Sequence, residues 1–157
     1  MLRKIGVKVS VGLFVMLFLV FVPGTAMGAS VKGIVKKADK LYKEGRYVEA
    51  LQDYDQAFEK EPKDPVIQYN RAAALYRNND FERSKRAFLE SIATEKEDIA
   101  LEQKSVYNAG NSEFRIGERI EKKDPQIASK NYKEALEYFK RAMELSPEDK
   151  DAKFNYE

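Results

Sequence analysis

The side chains that most often carry catalysis or hold transition metals are missing from this chain. It contains neither histidine nor cysteine, so the commonest general base, the commonest zinc ligands and the thiolate nucleophile are all absent. Its 26 aspartate and glutamate residues are numerous enough to supply a glycosidase-like acid pair, but we expect them on solvated helix faces with no pocket implied. We therefore predict a protein that is not an enzyme and that uses no cofactor or metal.

The composition indicates one soluble helical domain. The chain has 157 residues, of which 43% are hydrophobic and 11% aromatic, enough for a packed core in a domain of ordinary size. With only 8 glycines and 5 prolines, the sequence favours helices over a turn-rich sheet. The predicted fold class is all-α.

Residues 1–28 have the three-part layout of a secretory signal peptide. Three cations are followed by an uncharged stretch from Val9 to Val22, which would form a hydrophobic leader helix, and then by the small residues of PGTAMGAS. As a helix these 14 residues would span ~21 Å, short of the ~30 Å hydrocarbon core of a bilayer. We predict cleavage after Gly28.

An uncleaved membrane anchor formed by residues 5–22 is the alternative. In both cases the rest of the chain is expected outside the cytoplasm. After cleavage it would be periplasmic or extracellular, and with the anchor it would remain attached to the inner membrane. Without residues 1–28 the chain carries 25 basic and 26 acidic side chains. This balance gives no electrostatic basis for nucleic-acid binding.

The remaining sequence repeats itself at an interval of 34 residues. Like residues recur in eight pairs: Ala38 and Ala72, Leu41 and Leu75, Tyr42 and Tyr76, Lys43 and Arg77, Tyr47 and Phe81, Ala50 and Ser84, Tyr54 and Phe88, Phe58 and Ile92. A third copy is split by insertions of four residues at 99–102 and thirteen at 118–130. Its first half contains Gly110 and Phe114, and its second half contains Tyr132, Ala135 and Phe139.

A 34-residue period with small residues, an aromatic and a closing proline resembles the tetratricopeptide repeat (TPR). The segments GRYVEALQDYDQAFEKEP and KNYKEALEYFKRAMELSP carry the resemblance most clearly. It implies a right-handed superhelix of antiparallel helix pairs over residues 29–157. The repeats would cover about 31–64, 65–98 and 103–149, and a further first helix would start within 150–157.

Two helix starts are marked by Asp64-Pro65 and Asp124-Pro125. In each, an N-cap aspartate precedes a proline at the first helical position. The thirteen inserted residues are helix-forming on both sides of Asp124, so we predict that the third pair is lengthened. The six predicted helices cover residues 31–44, 47–60, 65–78, 81–94, 100–120 and 125–145.

The resemblance also implies a binding surface, because the first helix of each TPR unit lines a concave groove for a peptide or a partner helix. The implied groove residues are Tyr42, Lys43, Tyr69, Asn70, Tyr76, Arg77, Tyr107, Asn108, Asn111, Phe114 and Arg115. Phe154 and Asn155 continue two of these rows. The carboxylate clamp known in the family is not expected, because Val35 and Asp39 occupy two of its places.

Each groove row also has a structural interpretation. The aromatics can pack between units, and a cation at a helix C-terminus is favoured by the helix dipole alone. The function that we predict is an exported TPR adaptor that holds a peptide or helix of a partner protein.

An assembly module is the alternative, in which the chain stacks through Phe154 and Tyr156 or belongs to a larger envelope protein. The segments YNAGNSEFRIG and SPEDKDAKFNYE are similar to repeat units of Bat-type aerotolerance-associated envelope proteins.

Overall fold

The computed structural model describes residues 29–94 and 98–156, and in this part of the chain all regular structure is α-helical. The helices are α1 Val31–Lys43, α2 Tyr47–Lys60, α3 Pro65–Arg77, α4 Phe81–Thr94, α5 Ile99–Ile120, α6 Pro125–Leu145 and α7 Lys150–Tyr156. The six helices predicted from the sequence agree with these bounds to within one residue at each end. The predicted leader, residues 1–28, lies outside the described residues.

The proline-marked helix starts are capped as predicted. The Asp64 carboxylate accepts hydrogen bonds from the backbone N–H groups of Val66 and Ile67, and Asp124 accepts one from Ile127. These bonds satisfy amide groups that the first turn of a helix otherwise leaves unpaired. The caps explain why the starts of α3 and α6 could be placed correctly.

The turns between paired helices repeat as well. Gly45, after α1, has φ +78°, and Asn79, which lies 34 residues later after α3, has φ +61°. In both turns a backbone amide bonds back into the last helical turn, from Arg46 to Leu41 and from Asp80 to Leu75. Glycine and asparagine tolerate this left-handed conformation best, so the two helix pairs reverse direction in the same way.

Helices pack in chain order, each mainly against the next, and α3 also touches α5. Small residues lie where the axes cross: Ala38, Ala72 and Gly110 on the first helices of the three pairs are all buried. At Gly110 a Cβ atom would lie 2.8 Å from Cε1 of Phe139. The close crossing of α5 and α6 therefore favours glycine at this position, because any larger residue would displace the Phe139 ring.

The third pair is longer than the others. Helices α5 and α6 have 22 and 21 residues, whereas α1 to α4 have 13 or 14. The prediction of a lengthened third pair is confirmed. None of the described helices is both long and apolar enough to cross a membrane.

Candidate functional site

The first row of predicted groove residues contains Tyr42, Tyr76 and Phe114. Each ring packs against the first aromatic residue of the following helix, at centroid distances of 5.1 Å for Tyr42 and Tyr76 and 5.2 Å for Phe114. Tyr42 and Tyr76 are half-buried, whereas Phe114 is 43% exposed. This row therefore contributes to packing within each pair, and Phe114 is its most exposed ring.

The second row pairs a tyrosine with an asparagine of the next first helix. The Asn108 amide nitrogen of α5 donates to the Tyr69 hydroxyl of α3 at 3.1 Å. The Asn155 amide of α7 donates to the Tyr107 hydroxyl of α5 at 2.8 Å. Asn108 also donates to the Lys104 carbonyl at 2.9 Å. Both amide nitrogens are thus used in joining successive first helices.

Asn70 has no such partner, because Val35 of α1 occupies the position that lies 34 residues before Tyr69. Its amide makes no hydrogen bond within the described part of the chain, and it faces a cavity of about 300 Å³ between α1 and α3. The residues around this α1–α3 cavity are Asp39, Tyr42, Lys43, Tyr54, Tyr69, Asn70 and Ala73. Four predicted groove residues are therefore brought together around one space.

The three predicted cations differ in their surroundings. Lys43 is exposed, lines the α1–α3 cavity and has no ion-pair or hydrogen-bond partner in the described residues. Arg77 donates to the Tyr47 hydroxyl and lies 4.6 Å from the centre of that ring. Arg115 is paired with Glu118 at 2.7 Å. Lys43 is the cation of this row whose charge is left free for a ligand.

The remaining predicted residues do not join that cavity. Tyr76, Arg77 and Arg115 line a second, smaller space of about 170 Å³. Asn111 lies half-buried on α5 and, like Phe114, borders neither space. The groove implied by the resemblance is therefore not a uniform surface. Its polar groups without partners, Lys43 and Asn70, lie where α1 and α3 meet. We call each contact between the first helices of two successive repeats a seam, so α1–α3 is the first seam.

The phenols around the α1–α3 cavity act as neutral hydrogen-bonding groups. Burial raises the pKa of Tyr42, an effect that the nearby Arg77 charge partly opposes. Burial also raises the pKa of Tyr69 and Tyr54, and Tyr54 donates to Asp39 Oδ1 at 2.6 Å. With pKa values above the usual 10, these hydroxyls stay protonated at neutral pH and can both donate and accept.

Asp39 and Tyr54 were missed as site residues by the sequence analysis. The sequence gives Asp39 only as a departure from the family's clamp, and Tyr54 only as the repeat counterpart of Phe88. The signal that could have found them is the break in the tyrosine row at Val35, since a missing ring leaves its neighbours facing an open space.

The expectation that all carboxylates lie on solvated faces is wrong for Asp53 and Glu113, which are both buried. Asp53 pairs with Lys37 at 2.9 Å. Glu113 pairs with Lys85, which also lies 3.6 Å from Glu134. Burial raises the pKa of the Glu113 carboxyl, against the opposing effect of Lys85. Because Lys85 contacts both glutamates, this cluster is an ion-pair network.

Comparison with known proteins identifies the fold. Residues 38–79 match the family model described as TPR repeat. The first TPR of Spaghetti (RPAP3), solved bound to the HSP90 peptide SRMEEVD, is similar with a TM-score of 0.63 at 22% identity, over 80% of this chain and 86% of that one. The fold is that of a TPR domain.

Two further TPR structures support the same fold. The Arabidopsis OM64 TPR domain has a TM-score of 0.63 at 21% identity, over 80% of this chain and 90% of that domain. The second TPR domain of human RPAP3, in complex with the HSP70 peptide SGPTIEEVD, has a TM-score of 0.63 at 17% identity, over 81% and 95%. None of the curated protein sequences compared matches the chain.

Proposed function

We propose that this TPR domain is an exported, non-enzymatic adaptor that holds a peptide segment of a partner protein on the face formed by α1, α3 and α5. The observation that carries the proposal is the α1–α3 cavity, where Lys43 and the Asn70 amide are both without partners in the described residues. Two TPR domains of the same fold were solved with bound peptides. An interaction module is the function that such a surface supports best.

The chemistry around the cavity suits a peptide. The Asn70 amide can pair with a backbone carbonyl or N–H whatever the ligand's sequence. The rings of Tyr42 and Tyr69 provide contact area with little loss of side-chain entropy. Lys43 favours an acidic side chain or a terminal carboxylate at one end of the segment. Asp39, on the same wall, repels a second carboxylate, so a ligand with adjacent acidic groups is disfavoured.

The proposal can be tested with a library of random twelve-residue peptides displayed on phage. Selected peptides, resynthesised with a fluorophore, are titrated with the protein and followed by fluorescence anisotropy. The double variant Lys43→Gln/Asn70→Ala should weaken binding at least tenfold. Lys133→Gln, an exposed lysine on α6, is the matched control and should bind as the wild type does. Equal binding by the double variant would place the peptide on another surface and overturn the proposal.

Export is the part of the proposal that rests on residues 1–28 alone. The layout of that segment supports a cleaved signal peptide, with an anchor formed by residues 5–22 as the alternative. N-terminal sequencing of protein recovered from cells should give Ala29 as the first residue. An intact Met1 in the membrane fraction would instead support a tethered domain. The predicted resemblance to Bat-type envelope proteins would agree with either location.

Assembly through the C-terminal end is a second candidate function, and one observation favours it. Helix α7 leaves Phe154 80% exposed and Tyr156 39% exposed, which gives an apolar end surface that a second copy could cover. Sedimentation velocity of the wild type should then show an oligomer that Phe154→Asp/Tyr156→Asp converts into a folded monomer. A monomeric wild type at high concentration would rule this function out.

A further inference from the structure

The α3–α5 seam and the α5–α7 seam each contain the same three residue types: a tyrosine, a phenylalanine and an asparagine. At the α3–α5 seam, the Tyr69 ring packs on Phe88 at 5.3 Å and its hydroxyl accepts from Asn108. At the α5–α7 seam, Tyr107 packs on Phe139 at 5.7 Å and accepts from Asn155. In each case a tyrosine ring lies against an aromatic residue of the second helix and is fixed by an amide of the next first helix.

The α1–α3 seam has two of these three parts. Tyr54 of α2 is the counterpart of Phe88, 34 residues earlier, and Asn70 of α3 is the counterpart of Asn108. Both residues line the α1–α3 cavity. The third position is occupied by Val35, which packs on the core beside it but carries neither a ring nor a hydroxyl. Val35 itself does not line the cavity, but the counterparts of the two residues that hold the Tyr69 side chain, Tyr54 and Asn70, both do.

We propose that a tyrosine side chain of the bound peptide fills the α1–α3 cavity, packing against Tyr54 and accepting a hydrogen bond from the Asn70 amide as Tyr69 accepts one from Asn108. This inference rests on the proposed function, because the tyrosine is supplied by the peptide held on this face. It adds the identity of the residue that anchors the ligand.

Three observations favour tyrosine over other side chains. The cavity, at about 300 Å³, has the size of a small ligand pocket and accommodates one aromatic ring. Its walls include Tyr42 and Tyr69, and aromatic rings pack favourably edge to face. A phenylalanine would leave the half-buried Asn70 amide unpaired, whereas a phenolic oxygen accepts from it.

The carboxylate on the wall completes the arrangement. Asp39 accepts from Tyr54 through Oδ1, and its second oxygen can accept the hydrogen of the ligand's phenol. A cationic side chain would also be attracted by Asp39, but Lys43 on the same wall repels it. The cavity thus offers one donor, the Asn70 amide, and one acceptor, the second Asp39 oxygen. A phenol hydroxyl can accept from the first and donate to the second.

The cavity can be probed directly with p-cresol, which is the tyrosine side chain without its backbone. Titration of ¹⁵N-labelled protein should shift the side-chain amide resonances of Asn70 saturably and leave those of Asn108 unmoved. Toluene, which lacks the hydroxyl, should bind about tenfold more weakly. An unmoved Asn70 signal, or tighter binding of methylguanidinium than of p-cresol, would overturn the inference.

The substitution Val35→Tyr tests the same geometry from within the chain. A ring supplied by α1 should occupy the cavity, raise the melting temperature by a few degrees and abolish the p-cresol shift at Asn70. Val48→Tyr, at an exposed position of α2, is the matched control and should leave the shift unchanged. If Val35→Tyr does not fold, Asn70→Leu takes its place, and p-cresol should then lose its preference over toluene. Retention of that preference would contradict the proposal.

The peptides selected from the phage library separate this inference from the function on which it rests. Selected peptides should contain a tyrosine whose replacement by phenylalanine weakens binding about tenfold, and Val35→Tyr should block them. Peptides that need Lys43 and Asn70 but bind Val35→Tyr normally would refute the tyrosine anchor and leave the proposed function standing. If p-cresol fills the cavity and no peptide binds, the proposed function fails while the phenol site is supported.

Discussion

The first seam of the molecule and its third helix pair use equivalent repeat positions in opposite ways. At the first seam, Asn70 and Lys43 have no partner in the described residues and face an open cavity. In the third pair, Asn108 is bonded to Tyr69 and Arg115 is paired with Glu118. A repeat position therefore has no fixed role: the residue that faces it decides whether its polar group is left without a partner or holds two helices together.

The third pair also carries charge where the first two pairs carry leucine. Glu113 is 2% exposed and occupies the place of Leu41 and Leu75 in the earlier units. Its partner Lys85 reaches it from α4, so the ion pair ties the second unit to the third. A buried ion pair of this kind adds little net stability, but breaking it is costly because one charge is left unpaired.

Lys85→Met should therefore give the largest effect, a loss of about 3 to 5 kcal/mol in the free energy of unfolding. Burial already raises the pKa of Glu113, and the variant removes the group that opposes this rise. A carboxyl with a raised pKa is better tolerated in the folded state at low pH, so the deficit should shrink as pH falls. Urea denaturation at pH 7 and pH 5 measures both effects.

The double variant Lys85→Met/Glu113→Leu is the control for that measurement. It restores the leucine of the other units and removes the stranded charge, so most of the lost stability should return. A double variant as unstable as Lys85→Met would mean that the methionine itself disrupts the packing of α4.

Helix crossings should give the next largest effect. Ala72→Leu at the α3 crossing and Gly110→Ala at the α5 crossing are each expected to cost about 1 to 3 kcal/mol, because added carbon atoms meet closely packed neighbours. For Gly110 the neighbour is the Phe139 ring.

Gly33→Ala is the matched control for these crossings, since Gly33 is exposed in α1 and an added Cβ would approach only the Ser30 hydroxyl. It should be neutral or stabilise the fold by about 0.5 to 1 kcal/mol. Thermal denaturation of the three variants would rank the crossings. A stabilising Gly110→Ala would show that α5 and α6 are less closely packed than described.

The helices were predictable because their signals are local. Aspartate-proline starts and a 34-residue spacing of small and aromatic residues locate each helix without knowledge of its neighbours. The repeat places Glu113 at the buried position of Leu41 and Leu75, but its partner was not predictable, since Lys85 lies 28 residues earlier and on another helix. Residue type alone favoured a solvated face for Glu113.

The resemblance named four of the residues around the α1–α3 cavity, but neither Asp39 nor Tyr54, and it gave no difference between equivalent positions. The resemblance named Asn70 and Asn108 as equivalent, and in sequence they are. Their surroundings differ because Asn108 bonds to Tyr69 of the preceding unit, whereas the position equivalent to Tyr69 in the first unit is Val35, which has no hydroxyl. Such a difference depends on a contact between units, which the repeat pattern of one unit does not contain.

The variants Asn108→Ala and Asn70→Ala test this difference between the two asparagines. Their effects on stability are expected to be smaller than those at the helix crossings. Asn108→Ala removes hydrogen bonds to Tyr69 and Lys104 and should cost about 0.5 to 1.5 kcal/mol of stability. Asn70→Ala removes none and should leave the free energy of unfolding unchanged, although it weakens peptide binding. Urea denaturation of both variants decides the matter. Equal destabilisation would mean that Asn70 has a structural role as well.

The smallest expected effects separate the three cations of the groove. Lys43→Gln should weaken a selected acidic peptide about threefold, as for an exposed charge pair worth on the order of 0.6 kcal/mol. Arg115→Gln should change affinity less, because its charge is already neutralised by Glu118. Arg77→Gln gives up the contact with Tyr47 and should lower the melting temperature slightly.

Salt distinguishes a charge contact from an amide contact at the same cavity. The deficit of Lys43→Gln should fade between 50 mM and 500 mM NaCl, because mobile ions screen an exposed charge over distances of about 10 Å or less. The deficit of Asn70→Ala should persist, since an amide pairs with the peptide through hydrogen bonds and carries no charge. Anisotropy titrations at both salt concentrations measure the two deficits. If Lys43→Gln and Arg115→Gln lose affinity equally at low salt, the free lysine has no special role, and the difference between the first seam and the third pair does not extend to charge.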